Sequence, residues 1–103
     1  MTKLSDISNI IRSKNSGPYE LTLDIIFKSK EYFELVREKN IINENLICNL
    51  YKIEKSDIIN IVEFEPANAI KITIKRPIPS GDLGESDVYG AQQHAPLLSI
   101  EFQ

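Results

Sequence analysis

Two short runs hold most of the side chains in this sequence that could do chemistry: Arg12-Ser13-Lys14-Asn15-Ser16-Gly17-Pro18 near its start and Tyr89-Gly90-Ala91-Gln92-Gln93-His94-Ala95-Pro96 near its finish. In the first, two cations one residue apart lead into a Gly-Pro turn. A planar guanidinium fork beside exposed backbone N–H groups suits a carboxylate or a phosphate. Arg12, Ser13, Lys14, Asn15 and Gly17 are therefore candidate binding residues for an anion. The competing reading is that Arg12 and Lys14 are solvated charges at the C-terminus of a helix, where its dipole favours them, and that Ser16-Gly17-Pro18 only turns the chain. The run lacks the spacing of a phosphate-binding loop.

In the second run, His94 is the one side chain whose ordinary pKa lies near neutrality, and Gln92 and Gln93 beside it both donate and accept hydrogen bonds. His94 is the candidate proton carrier, with Gln92 and Gln93 as candidate substrate-binding residues. Its motif contains no Ser or Cys nucleophile, so a structural, hydrogen-bonded histidine is the alternative. Asp82, Glu85 and Asp87 lack the calcium-loop pattern and read as solvated loop charges. Cys48, among Leu46, Ile47 and Leu50 on a helical face, reads as a buried, inert thiol.

The elements that must position these groups follow from apolar spacing. Leu4, Ile7, Ile10 and Ile11, with Ser5 as a cap, predict a short amphipathic helix over residues 5–13. Leu21, Leu23, Ile25 and Phe27 alternate with polar residues and predict a half-buried strand. Ser29 caps a helix ending near Asn40, and Asn43 caps a second containing Ile47, Leu50 and Tyr51. Residues 58–64 and 70–74 form a β-hairpin around Pro66-Ala67-Asn68. Residues 98–102 alternate as a last strand docked into the same sheet, after a glycine- and proline-broken loop over residues 75–97. This order predicts an α+β fold: a two-layer sandwich with helices on one face of a mainly antiparallel sheet, a ferredoxin-like variant.

Length and composition set the outer limits. With 103 residues, a single domain spanning 1–103 is expected. A net charge of −3 gives no general attraction to nucleic acid or to anionic membranes. One Cys and one His exclude an intrachain disulfide and a structural zinc site, and no metal or cofactor is expected. The polar start and the absence of about 18 consecutive apolar residues imply a cytoplasmic location.

The two motifs are similar to those of a bacterial family, the domain of unknown function 4387, often encoded beside or fused to proteins similar to the acyclic terpene utilisation protein AtuA. The matching residues are Arg12-Ser13-Lys14-Asn15, then residues 17–24, Pro79-Ser80-Gly81, and residues 87–97, with Ser16 where Ala is commoner. A weaker resemblance reaches the small C-terminal domain of AtuA-like proteins, with its Arg-Ser-Gly-Asp-Lys-Gly stretch. Arg12, Ser13 and Gly17 align with that stretch, whereas Lys14, Asn15 and Ser16 depart from it. The resemblance implies a ferredoxin-like fold and a small accessory subunit of an AtuA-like large subunit in the catabolism of branched or carboxylated acids. It brings no established catalytic residues. On this reading the subunit contributes an anion-binding interface site: Arg12 and Lys14 hold a carboxylate, Asn15 and Gln93 orient it, and His94 carries a proton. The rival expectation is a non-catalytic interaction module. A homo-oligomer is compatible with either.

Overall fold

A computed structural model describes residues 1–17, 19–75 and 94–103. In chain order its elements are β1 (Thr2–Lys3), a 3-10 turn (Leu4–Asp6), β2 (Ser8–Gly17), β3 (Glu20–Phe27), α1 (Lys30–Glu38), α2 (Glu44–Tyr51), a 3-10 turn (Lys55–Asp57), β4 (Ile58–Phe64), a 3-10 turn (Glu65–Ala67), β5 (Ala69–Lys75), a 3-10 turn (Ala95–Ser99) and β6 (Glu101–Phe102). Strands β2-β3-β5-β4, in that spatial order, make an antiparallel sheet, and β1 and β6 make a separate antiparallel ribbon. Helices α1 and α2 lie on one face of the larger sheet. The fold is α+β, consistent with a ferredoxin-like two-layer sandwich, with its two helices consecutive in the chain.

The core lies between the layers because the strand period of two sends every second side chain to the helices. Leu21, Leu23 and Ile25 of β3 and Ile70, Ile72 and Ile74 of β5 are buried there with Phe33 and Val36 of α1 and Ile47 of α2. Both helices start at the residues whose side chains satisfy their first free N–H groups: Ser29 Oγ accepts from the Tyr32 N–H at 3.3 Å, and Asn43 Oδ1 accepts from the Leu46 N–H at 2.9 Å. The Asn43 amide also donates to the Asn40 carbonyl at 2.7 Å, which ties the two helices at their junction. Asn40, Lys52 and Asn68 take left-handed backbone conformations where α1, α2 and the 3-10 turn before β5 end. Cys48 is half-buried on α2 rather than fully enclosed.

Two expected elements differ. Residues 8–17 are a strand, not the C-terminal part of a helix. Leu4 and Ile7 are indeed buried, but they are seated by the 3-10 turn. From Ser8 onward the chain pairs with β3 along its whole length, and ten residues of ladder hydrogen bonds outweigh the weak preference of a nine-residue helix. The last strand is also shorter than expected. Pro96 sits in the first turn of the 3-10 segment Ala95–Ser99, which is fastened by Ser99 Oγ donating to the Pro96 carbonyl at 2.7 Å. That turn buries Leu97 and leaves Leu98 exposed, and β6 pairs with β1 instead of joining the larger sheet.

Gly17 ends β2 beside a register irregularity at φ +152°, a region that side-chain-bearing residues rarely enter, even though a Cβ there would meet no neighbouring atom. Its glycine is required by the backbone alone.

Burial pushes the phenol of Tyr51, near the end of α2, well above the ordinary tyrosine range. Above an ordinary tyrosine pKa of about 10 the unfolded chain therefore releases a proton that the folded chain keeps. Stability then falls as pH rises, by up to about 1.4 kcal/mol per pH unit, and it is retained in full below that range. Denaturant titrations between pH 9 and about 12 should show this slope. The Tyr51→Phe variant should have a visibly flatter profile; an unchanged one would remove Tyr51 as its source.

Candidate functional site

Because β2 is a strand, its polar motif is divided between the two faces of the sheet. Pairing registers make this explicit. On the helix-facing side, Ser13 lies in a row with Leu23, Ile72 and Ile61, and Asn15 in a row with Leu21, Ile74 and Ile58. Ser13 is buried and Asn15 half-buried. On the opposite face three rows cross all four strands. One is apolar, Ile10, Ile26, Ala69 and Phe64; the next is Arg12, Asp24, Lys71 and Val62; the third is Lys14, Thr22, Thr73 and Asn60. Arg12 and Lys14 are thus brought together, and Ser13 and Asn15 are turned away from them.

The central row is an alternation of charge. The Asp24 carboxylate accepts a hydrogen bond from Arg12 Nε at 3.0 Å, with the carboxylate side chain 9% exposed and the arginine side chain 55%. Lys71 is the direct cross-strand neighbour of Asp24 on its other side. Opposite charges directly across a strand pair stabilise it, by roughly 0.2–1 kcal/mol per pair. One carboxylate among Arg12, Lys14 and Lys71 leaves this face with an excess of positive charge.

Arg12, Lys14, Asp24 and Lys71 border a cavity of about 350 Å³ whose remaining wall includes Ile26, Val62, Phe64 and Ala69. Such a place can hold an anionic group against apolar surface: cations at the rim provide attraction and donors, and the apolar side provides area to bury. Val62, Phe64 and nearby Ile10 remain substantially exposed, at 44%, 55% and 41%. The buried hydroxyls of Thr22 and Thr73 lie in the next row.

The other sequence-derived candidates fall elsewhere. His94 stands at the start of the Ala95–Ser99 turn, where its carbonyl accepts from the Leu97 N–H at 2.9 Å, and it does not line the cavity. Gly17 lies at the end of β2. Gln92 and Gln93 lie outside the described residues, as does most of the glycine-broken loop. Asp24, Lys71, Val62 and Phe64 were not singled out by sequence. For Asp24 and Lys71 the signal was the polar phase of the strand alternation, which reads as a solvated face until the register sets them side by side. Val62 and Phe64 are apolar residues of a strand without clean alternation, so only the register and their exposure reveal them.

Among the described residues, no group of three or more His, Cys, Asp or Glu side chains is placed to hold a metal ion. None of their helices is long and apolar enough to cross a membrane. Compared with known proteins, residues 4–101 match the family model described as domain of unknown function (DUF4387). No curated protein and no solved structure matches the chain.

Proposed function

The chain belongs to the DUF4387 family, and from that premise we propose that it is a non-catalytic interaction module, docking through the sheet face opposite its helices onto an acidic, partly apolar patch of a larger protein. The observation that carries this reading is the conjunction of exposed Phe64, Val62 and Ile10 with Arg12, Lys14 and Lys71 on one continuous face. Large aromatic and aliphatic anchors ringed by charge are the composition of binding hot spots, and the cations set the sign of the partner. The resemblance of its motifs suggests an AtuA-like large subunit as the partner to test. His94, outside the cavity, has a structural role on this reading.

A second reading is favoured by the cavity itself. Between the two proteins, Arg12, Lys14 and Lys71 would hold the carboxylate of a branched or otherwise apolar acid whose carbon skeleton rests on Ile26, Val62 and Phe64. Ser13 and Asn15, on the other face, take no part.

Co-expression with an AtuA-like protein followed by native mass spectrometry tests the docking reading. A mixed complex is expected, weakened at least about ten-fold by Phe64→Ser and by Lys14→Glu, with Tyr32→Ser on the helix layer as a neutral control. Failure to form a complex, or one indifferent to both face substitutions, would refute it. A complex that tightens when a short branched carboxylate is added, and ceases to do so in Lys71→Gln, would favour the second reading.

A further inference from the structure

Strand β4 is an edge of the larger sheet, with β5 on one side and, among the described residues, no strand on the other. An edge presents a row of main-chain N–H and C=O groups that templates another strand, and proteins blunt such edges with lysine, proline or bulges. The opposite edge, β2, is blunted: it carries Arg12 and Lys14 and has register irregularities near both ends. Strand β4 reads Ile58-Ile59-Asn60-Ile61-Val62-Glu63-Phe64. It has no lysine, arginine or proline, its one irregularity lies at its start, and Ile59, Val62 and Phe64 are 43%, 44% and 55% exposed.

We propose that β4 pairs antiparallel with β4 of a second copy of this chain, joining two four-stranded sheets into one eight-stranded sheet about a two-fold axis. Such an interface must be self-complementary, since each residue meets its counterpart across the axis. Centred on Ile61, the pairing sets Asn60 opposite Val62 and Ile59 opposite Glu63. Centred on Val62, it sets Ile61 opposite Glu63 and Ile59 opposite Glu65. Within Ile58–Phe64 neither register puts one carboxylate opposite another, and both supply β-branched and aromatic cross-strand pairs. Just beyond it the Ile61-centred register sets Asp57 opposite Glu65, so the Val62-centred one is favoured.

A second observation fits the same occupant. Beside this edge, on the helix side, lies a cavity of about 580 Å³ bordered by Ile59, Asn60, Ile61 and Glu63 together with Asn43 and Glu44 at the start of α2. A strand added to β4 would extend the sheet beneath that cavity. Among the described residues, the charged ones that border this cavity, Glu44 and Glu63, are acidic, so added negative charge is the change the edge should tolerate least. This inference goes beyond the docking reading and uses the edge of the sheet rather than its face.

Sedimentation velocity and native mass spectrometry of the full chain test it. The wild type should show a two-chain species whose share rises with concentration. Ile59→Glu, which puts a second carboxylate opposite Glu63 or Glu65, should raise the dissociation constant at least about ten-fold. Ile59→Lys, which puts an ammonium there instead, should keep the dimer. Circular dichroism should be the same for all three. A wild type that stays single-chain at every concentration, a dimer weakened equally by both substitutions, or one changed by neither would overturn the proposal. If Ile59→Glu disturbs folding, hydrogen exchange of the wild-type β4 amides decides: slowing with protein concentration supports the pairing, and no change overturns it. Ile59 is not part of the outer-face cavity, so loss of this dimer and loss of partner docking are separable.

Discussion

Replacing Phe33 by alanine should lower stability by about 3–5 kcal/mol, close to the whole margin of a small domain. Phe33 is 1% exposed and joins the two layers. Its ring packs against Phe27 of β3, with centroids 6.2 Å apart and planes tilted by 53°, while the Arg37 guanidinium lies 5.2 Å from its centroid. Alanine would remove the apolar area, the aromatic pair and the cation's platform together. The neighbouring helix and strand cannot collapse into the space, because Val36 and Ile25 are themselves fully buried and packed. Arg37 would keep its pairing with Glu65, an exposed interaction of little weight. Thermal unfolding should show a drop on the order of 20 °C, whereas Phe33→Leu should retain most of the stability. A fall of only a few degrees for Phe33→Ala would mean that α1 is not held to the sheet by this ring.

A second large effect is expected at the other end of the chain. Removing residues 94–103 should abolish cooperative folding, because Leu97, Ile100 and Phe102 belong to the same buried cluster as Leu4, Ile7 and Ile47. The deletion also strips β1 of its partner and leaves the Leu4 N–H without the Ile100 carbonyl to which it donates at 3.0 Å. Each of three large apolar side chains contributes about 1.5–3 kcal/mol through burial, so their combined loss is comparable to the whole margin of a marginally stable small domain. Near-ultraviolet circular dichroism and a melting curve would report it. A cooperative transition within a few degrees of the full chain would show that these residues are peripheral.

Strands β3 and β5 and the starts of both helices could be read directly, whereas the equally regular alternation of Leu98, Ile100 and Phe102 misled, because a 3-10 turn containing Pro96 takes up its first part. Leu21, Leu23, Ile25 and Phe27 announce β3, Ile70, Ile72 and Ile74 announce β5, and the caps at Ser29 and Asn43 fix where the helices begin. Strand β2 could not be read this way. Leu4, Ile7, Ile10 and Ile11 have helical spacing by coincidence: Leu4 opens a 3-10 turn and Ile7 caps its end, Ile10 lies on the outer face and Ile11 on the inner. What decides their state is the presence of β3 as a pairing partner, which is tertiary information. The same error hid the candidate site. As a helix end, Arg12-Ser13-Lys14-Asn15 looks like one cluster; as a strand, it sends alternate members to opposite faces, and Asp24 and Lys71 become the neighbours of Arg12 and Lys14.

The pairing of β1 with β6 has a kinetic consequence. Thr2 faces Phe102 and Lys3 faces Glu101, so this ribbon closes nearly the longest loop the chain can make, whereas the β2–β3 and β4–β5 hairpins close short ones. Loop-closure entropy must be met before such a contact returns any free energy, which places the ribbon late, after the hairpins and helices have condensed. Substitutions in the ribbon should then leave the folding rate almost untouched and accelerate unfolding, so that this small clasp governs how long the native state persists more than how fast it is reached.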